Sequence, residues 1–247
     1  MKYENNLLII QDIHTKYEKV ERIISKFSKT HKFIFMGDYF DNFNDTPDIN
    51  EDTASFLKRY LDKEWVFLYG NHDVIYHPNY TCMCSGFTTS KKIAINRVME
   101  ISDWNKLKYF HFENNHLFSH AGITKFWFQN PTQDKFDINT IQKTIDDAVI
   151  KMESGNFDNA IWSASKRRGG RNDHGGIIWE DWRDLNMIPN LNQVVGHTPI
   201  KKIATIQDNN TNCSITNVDN SASSVYFTQI LEIDRNGNKN IIDTSYI

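Results

Sequence analysis

The chain has 247 residues, 39% of them hydrophobic, enough to bury a substantial core, and its length predicts one domain of mixed type over residues 1–247, most simply a monomer. With 28 Lys and Arg against 31 Asp and Glu the formal charge is -3, so no global charge calls for a nucleic acid or a membrane surface, and recognition of any partner, nucleic acid included, has to be local. Three cysteines, Cys82, Cys84 and Cys213, are too few and too odd in number for a disulfide framework, which predicts a reducing, cytoplasmic setting; Cys82 and Cys84 lack a nearby partner pair to close a zinc site and read as free thiols.

The first apolar run, in "NLLIIQDIH", leads into Gln11 and Asp12 with no small-residue cleavage site, so it reads as a strand and not as a secretory signal. No stretch approaches transmembrane length. Next, "TKYEKVERIISKFSKT" sets Val20, Ile23, Ile24 and Phe27 on one helical face with charges opposite. A second strand, "KFIFMGDYFD", completes a β-α-β unit, and "EDTASFLKRYLDKE" predicts a helix before the third strand, "EWVFLYGNHD". Two more strands end in polar clusters, "NHLFSHAG" and "LNQVVGHTP". Between them lie a helix over "INTIQKTIDDAVIKM" and the irregular "SASKRRGGRNDHGGIIWEDWRD". The last 35 residues predict antiparallel strands, with "RNGNK" as a hairpin turn. No repeat, low-complexity tract or linker interrupts the chain.

The five strand ends carry potential metal ligands in order: Asp12 and His14, Asp38 and Asp41, Asn71 and His72, His120, and His197. Glycines stand beside four of them, at Gly37, Gly70, Gly122 and Gly196, where a strand must turn sharply into a loop. Carboxylates gathered at one end of a sheet raise one another's pKa unless a cation lies between them. Oxygen donors mixed with imidazole suit manganese, iron or zinc better than calcium or magnesium.

These blocks, "DIH" at 12 to 14, "GDYFD" at 37 to 41, "GNHD" at 70 to 73, "HAG" at 120 to 122 and "GHTP" at 196 to 199, resemble the calcineurin-like metallophosphoesterase superfamily in content and order. The resemblance implies an α/β fold, a four-layered α/β/β/α sandwich of two mixed sheets flanked by helices, with a binuclear metal site at the strand ends. It implies two divalent ions, manganese foremost with iron or zinc as alternatives. One is held by Asp12, His14 and Asp38, the other by Asp38, Asn71, His120 and His197, with Asp38 as the bridge. Metals about 3.5 to 4 Å apart share a water, lower its pKa and hold phosphate oxygens, so that a bridging hydroxide attacks phosphorus in line. By the same resemblance His72 is the general acid, its ring fixed by Asp73 or Asp41.

The "GHTP" ending and "HAGIT" resemble the phosphoprotein phosphatase branch, including compact bacterial and bacteriophage phosphatases and diadenosine tetraphosphatases; the diesterase branches carry Gly-His-x-His. The late "NVDNSAS" extends the match to about residue 225. A phosphorylated substrate is implied, either a phosphoprotein or a nucleotide. Two departures stand out. Asn42 and Phe43 replace an Arg-Gly pair whose arginine grips phosphate, a loss of about 1.5 to 3 kcal/mol unless compensated, since Asn42 offers one hydrogen bond and no charge. Asp181 in "WEDWR" stands where a second arginine is expected, with Arg183 as the nearest substitute. Further candidates lie in "SKRRGGRNDHGG", where Lys166, Arg167, Arg168 and Arg171 alternate with glycines, against a reading of the same run as a solvated loop. His31, His77, His111, His116 and His174 read as packing, surface or loop residues, and Tyr39, Phe40, Phe43, Trp179 and Trp182 as core, with base stacking at the site mouth as the alternative.

Overall fold

Leu7 and Ile9 on one face of the first strand and Leu8 and Ile10 on the other are all buried, so this strand lies inside the protein with a layer on each side. A computed structural model describes residues 6–42, 44–80, 82–128, 137–156, 162–222 and 226–247. In chain order its strands are β1 (Asn6–Ile10), β2 (His31–Phe35), β3 (Val66–Phe67), β4 (Phe110–Glu113), β5 (His116–Ser119), β6 (Asn192–Val195), β7 (Ala204–Asp208), β8 (Cys213–Asn217), β9 (Gln229–Ile233) and β10 (Lys239–Asp243). Its helices are α1 (Tyr17–Phe27), α2 (Pro47–Tyr60), α3 (Asn71–Val74), α4 (Thr89–Val98), α5 (Ile101–Trp104) and α6 (Ile138–Glu153).

The strands form two mixed five-stranded sheets, ordered β10-β9-β1-β2-β3 and β4-β5-β6-β8-β7, flanked by helices as a four-layered α/β/β/α sandwich. Leu7, Ile9, Ile34 and Met36 from the first sheet meet Phe118, Val194 and Val218 from the second in one buried cluster, the layer between the sheets. Each such side chain contributes roughly 1.5 to 3 kcal/mol by leaving water. On the outer face of the first sheet, Leu8, Ile10, Phe33 and Phe35 pack with Val20, Ile23 and Ile24 of α1 and Ala54, Phe56 and Leu57 of α2. The parallel strands β1, β2 and β3, and likewise β5, β6 and β8, therefore bring their C-terminal ends to one edge of the sandwich.

Several details differ from the expectations above. Helix α2 starts at Pro47, four residues early, because Thr46 Oγ1 accepts from Ile49 N and Pro47 fits the first turn. Strand β3 is only two residues long; beyond it Leu68 N still donates to the Phe35 carbonyl, while Phe67 O and Tyr69 N bond Lys108 on the other side. The C-terminal strands are not uniformly antiparallel: β9 and β10 form the expected hairpin, but β8 runs parallel to β6 and antiparallel to β7. Tyr39 and Phe40 are fully buried, Phe40 lying against Tyr76 and Trp104, so neither ring reaches the site mouth; Phe43 lies outside the described residues. Among the described residues no helix is long and apolar enough to cross a membrane.

Candidate metal centre and active site

Asp12 and His14 follow β1, Asp38 and Asp41 follow β2, Asn71 and His72 open α3, His120 follows β5 and His197 follows β6. Four of these residues, His14, Asp38, Asp41 and His197, take positive φ, uncommon for residues other than glycine and often found at functional turns. Gly37 and Gly70 explain the close approach of two of these turns. A Cβ on Gly37 would stand 2.4 Å from Gly70 N, and one on Gly70 would stand 2.1 Å from Asp38 Oδ1. Asp73 locks the same turns, because its carboxylate accepts from Asp38 N at 2.7 Å, Tyr39 N at 2.8 Å and Gly70 N at 2.8 Å. This differs from the expected role: Asp73 holds backbone amides, and it is Asp41 that meets the His72 ring.

The ligand atoms converge around Asp38. Its Oδ1 accepts from His72 N at 2.9 Å, while Oδ2 faces His14 Nε2 at 3.7 Å on one side and His120 Nε2 at 3.3 Å on the other. His120 Nδ1 donates to the Met36 carbonyl at 2.8 Å, which leaves Nε2 as the atom turned to the cluster. His14 Nδ1 likewise faces the Asp41 carbonyl at 2.6 Å, which turns its Nε2 toward Asp38. Nε2 of His120 then lies 3.1 Å from Asn71 Oδ1 and 3.2 Å from His197 Nδ1. Asp12, His14 and Asp38 thus form one group able to hold a cation, and Asp38, His120 and His197 a second, with Asn71 beside it.

The donor set fits divalent ions. Asp12 is buried with Oδ1 left without a hydrogen-bond partner, while Oδ2 accepts from His197 N at 2.9 Å. Burial, then the neighbouring Asp219, holds the Asp12 carboxyl well above the usual carboxylate range. Asp38 goes the other way: against the penalty of burial, the imidazoles of His120 and His72 hold it well below that range. Burial, then His120 and Arg168, keeps His197 well below the usual imidazole value and hence neutral, the form that ligates. A cluster of buried carboxylates and imidazoles whose ligand atoms converge suits a cation among them.

His72 lies beside this cluster. Its Nδ1 is 3.0 Å from Asp41 Oδ2, and although burial opposes it, Asp38 and the Asp41 hydrogen bond push the imidazole up to about 11. The other Asp41 oxygen accepts from Tyr76 OH at 2.5 Å and from Lys91 Nζ at 2.9 Å, and Lys91 is also paired with Asp45 at 2.5 Å.

Of the candidate phosphate contacts, the structure brings one to the centre. Arg168 Nη2 donates to the His197 carbonyl and to Thr198 Oγ1, both at 2.7 Å, and its Nε has no hydrogen-bond partner. Arg183 is committed to Asp181 through Nε at 2.7 Å and Nη2 at 2.6 Å, and Arg171 is exposed. Asn42 follows Asp41, its backbone N donating to Asp45 Oδ2 at 3.1 Å. The buried Asp181, which occupies the position of an expected arginine, lies 3.5 Å from Arg168 Nε and so helps draw that guanidinium inward. His174 stays in its loop, 3.3 Å from Glu180, and Trp179 packs edge-on to His197.

Sequence reasoning missed Lys91, Tyr76 and Asp219, and it set Cys84 aside. Asp219 follows β8 and adds a sixth strand end beside Asp12; its strand, "CSITN", mixes polar with apolar residues and lacks the apolar run that marked the others. Cys84 Sγ lies 3.5 Å from His72 Nδ1. A cavity of about 410 Å³ opens beside it, between Asn71, Arg168, Trp162, Trp179, Met83 and Cys84.

A family model described as calcineurin-like phosphoesterase matches residues 6–219. No curated protein sequence matches the chain. Solved structures share its fold at low identity. One, a protein assigned as a diadenosine tetraphosphatase, superposes with a TM-score of 0.50 at 12% identity, covering 97% of this chain and 94% of that one. A protein serine/threonine phosphatase from Saccharomyces cerevisiae gives 0.53 at 13% identity, covering 98% and 80%. A metallophosphoesterase from Sphaerobacter thermophilus gives 0.50 at 11%, covering 98% and 89%.

Proposed function

The chain belongs to the calcineurin-like phosphoesterase family, and from that premise we propose that it is a metal-dependent phosphatase hydrolysing phosphomonoesters. The observation that carries this reading is the position of Asp38 Oδ2, shared between the group of Asp12 and His14 and the group of His120 and His197. The first group would hold one divalent ion; Asp38, Asn71, His120 and His197 would hold the other. Manganese suits this mixture of oxygen and imidazole donors, as do iron and zinc. Such a pair supplies an acidified water and neutralises charge on the phosphoryl group.

The chain's own residues do the rest. Arg168, fixed by the His197 carbonyl and Thr198, brings beside the centre the positive charge that Asn42 lacks. His72 holds the proton destined for the leaving oxygen on Nε2, because its Nδ1 is turned to Asp41. Asp41 keeps that ring in place, and the cavity beside Asn71 leaves room for the leaving group of a nucleotide or a phosphorylated side chain. Three free cysteines support a reducing, cytoplasmic setting.

The test is hydrolysis of p-nitrophenyl phosphate and of its bis-ester by the manganese-loaded protein, with Asp38→Asn as control. Monoester turnover that is lost in the variant is expected. Preference for the bis-ester would move the reading to a phosphodiesterase, and binding of nucleotides without turnover of either ester would make it a binding module.

A further inference from the structure

The side chains of Asp41, His72 and Cys84 meet outside the group of residues that would hold the two catalytic ions. Asp41 Oδ2 is 3.0 Å from His72 Nδ1, and Cys84 Sγ is 3.5 Å from the same nitrogen; the three ligand atoms all lie within 4.8 Å of one another. Bond lengths of about 2.0 to 2.1 Å to nitrogen, 2.0 to 2.2 Å to carboxylate oxygen and 2.3 Å to sulfur place tetrahedral zinc ligands roughly 3.3 to 3.6 Å apart. The nitrogen to sulfur spacing already has that value, and the oxygen to nitrogen spacing needs a few tenths of an ångström. We propose that Asp41, His72 and Cys84 form a zinc site, distinct from the catalytic pair, whose occupation switches the enzyme off.

The surroundings support a soft dication here. Lys91 and Tyr76 bind Asp41 Oδ1, so Oδ2 is the oxygen turned to the His72 Nδ1 that would share the ion. With Cys84 as thiolate, the charges of Asp41, Asp45, Cys84 and Lys91 balance one zinc ion. Cys84 lines the cavity beside Asn71, which gives an ion a way in and a fourth ligand position to water. Binding releases the thiol proton of Cys84 and the proton on His72 Nδ1 to solvent, leaving thiolate and neutral imidazole as ligands. With zinc in place of the Nδ1 proton the ring is neutral imidazole, whose Nε2–H is a far weaker acid than that of imidazolium, so His72 loses its role as acid. Zinc binding itself does not depend on the proposed function; the switching rests on it.

The test uses protein whose catalytic centre is filled with manganese, titrated with cobalt(II) as a spectroscopic stand-in for zinc. The catalytic residues include no sulfur, so a thiolate-to-cobalt charge-transfer band reports this site alone. Expected are a band that saturates at one added equivalent, its displacement by zinc, its retention in Cys82→Ser and its loss in Cys84→Ser. Zinc should also protect one thiol of the unmodified protein from alkylation, a readout that needs no variant. One equivalent of zinc should lower p-nitrophenyl phosphate turnover at least tenfold in the unmodified protein and less than twofold in Cys84→Ser. Absence of the band, or its persistence in Cys84→Ser, overturns the site. A band with unchanged turnover overturns the switch. A protein that hydrolyses no ester overturns the phosphatase reading, while the band still decides the site.

Discussion

Oδ2 of Asp41 stands 3.0 Å from Nδ1 of His72, and the opposite oxygen of the same carboxylate is held by Lys91 and Tyr76. With both oxygens occupied the carboxylate cannot rotate, so the imidazole is aimed by a residue that itself has no freedom. A proton carried on Nε2 matters most when the departing oxygen is a poor leaving group. His72→Asn should therefore lower kcat for an alkyl phosphate by about 10²- to 10⁴-fold, and much less for p-nitrophenyl phosphate, with KM changed little. Parallel rate measurements on the two substrates check this, and an equal loss on both would remove His72 from the role of acid.

Arg168 and Arg171 come from the same basic run yet take different places, the first against His197 and Thr198, the second in solvent. Arg168→Ala should reduce kcat/KM by roughly 10- to 100-fold, the loss expected for a charge-assisted contact of about 1.5 to 3 kcal/mol. Arg171→Ala should leave it within twofold. If the two variants behaved alike, the phosphate contact would have to come from elsewhere.

The contrast between those two arginines also shows where the sequence stopped being informative. Strand ends were legible because an apolar run that stops at Asp or His carries both its burial and its exit in a few adjacent residues, as in "FIFMGD". Which way an arginine turns depends on a partner far along the fold: Arg168 is drawn in by the His197 carbonyl, 29 residues on, and by the buried Asp181. Lys91 is harder still, since α4 brings it to Asp41 across 50 residues and nothing local distinguishes it from its neighbour Lys92. The pairing of β8 with β6 was hidden for the same reason, because its neighbour in the sheet is set by the crossover and not by its own alternation.

Asp12 links stability to metal. Burial and the adjacent Asp219 favour its neutral form, and Oδ1 has no hydrogen-bond partner, so the metal-free fold carries a penalty that an ion removes. At a hundredfold excess over Kd, a bound ion should add about 2.7 kcal/mol, or roughly 5 to 10 °C in Tm for a chain of this size. Asp12→Asn keeps an acceptor for His197 N and mimics the neutral carboxyl. Its metal-free Tm should equal or exceed that of the unmodified protein, and manganese should raise it by less, since only the ion held by Asp38, Asn71, His120 and His197 keeps its ligands. Thermal unfolding of both proteins with manganese and with chelator decides the matter; a variant that still gained the full increment would place the ion elsewhere.

His116 governs part of the acid sensitivity from a position remote from the catalytic cluster. It is buried in β5, where its Nδ1 donates to the Asn114 carbonyl at 2.8 Å. Burial, aided by Lys239 and opposed by that hydrogen bond, lowers its pKa from 6.5 to about 4. The unfolded chain therefore takes up a proton as pH falls through 6.5, while the folded chain refuses it until about 4. Its contribution is fully present above 6.5 and is lost progressively down to about 4, costing roughly 2 kcal/mol between pH 7 and pH 5. His77, lowered to about 4 by burial and by Lys92, adds a second loss in the same window. His116→Gln should flatten the fall by about the amount assigned to one histidine. Urea unfolding of both proteins at pH 7 and pH 5 measures the difference, and parallel losses would show that His116 takes up its proton equally in both states.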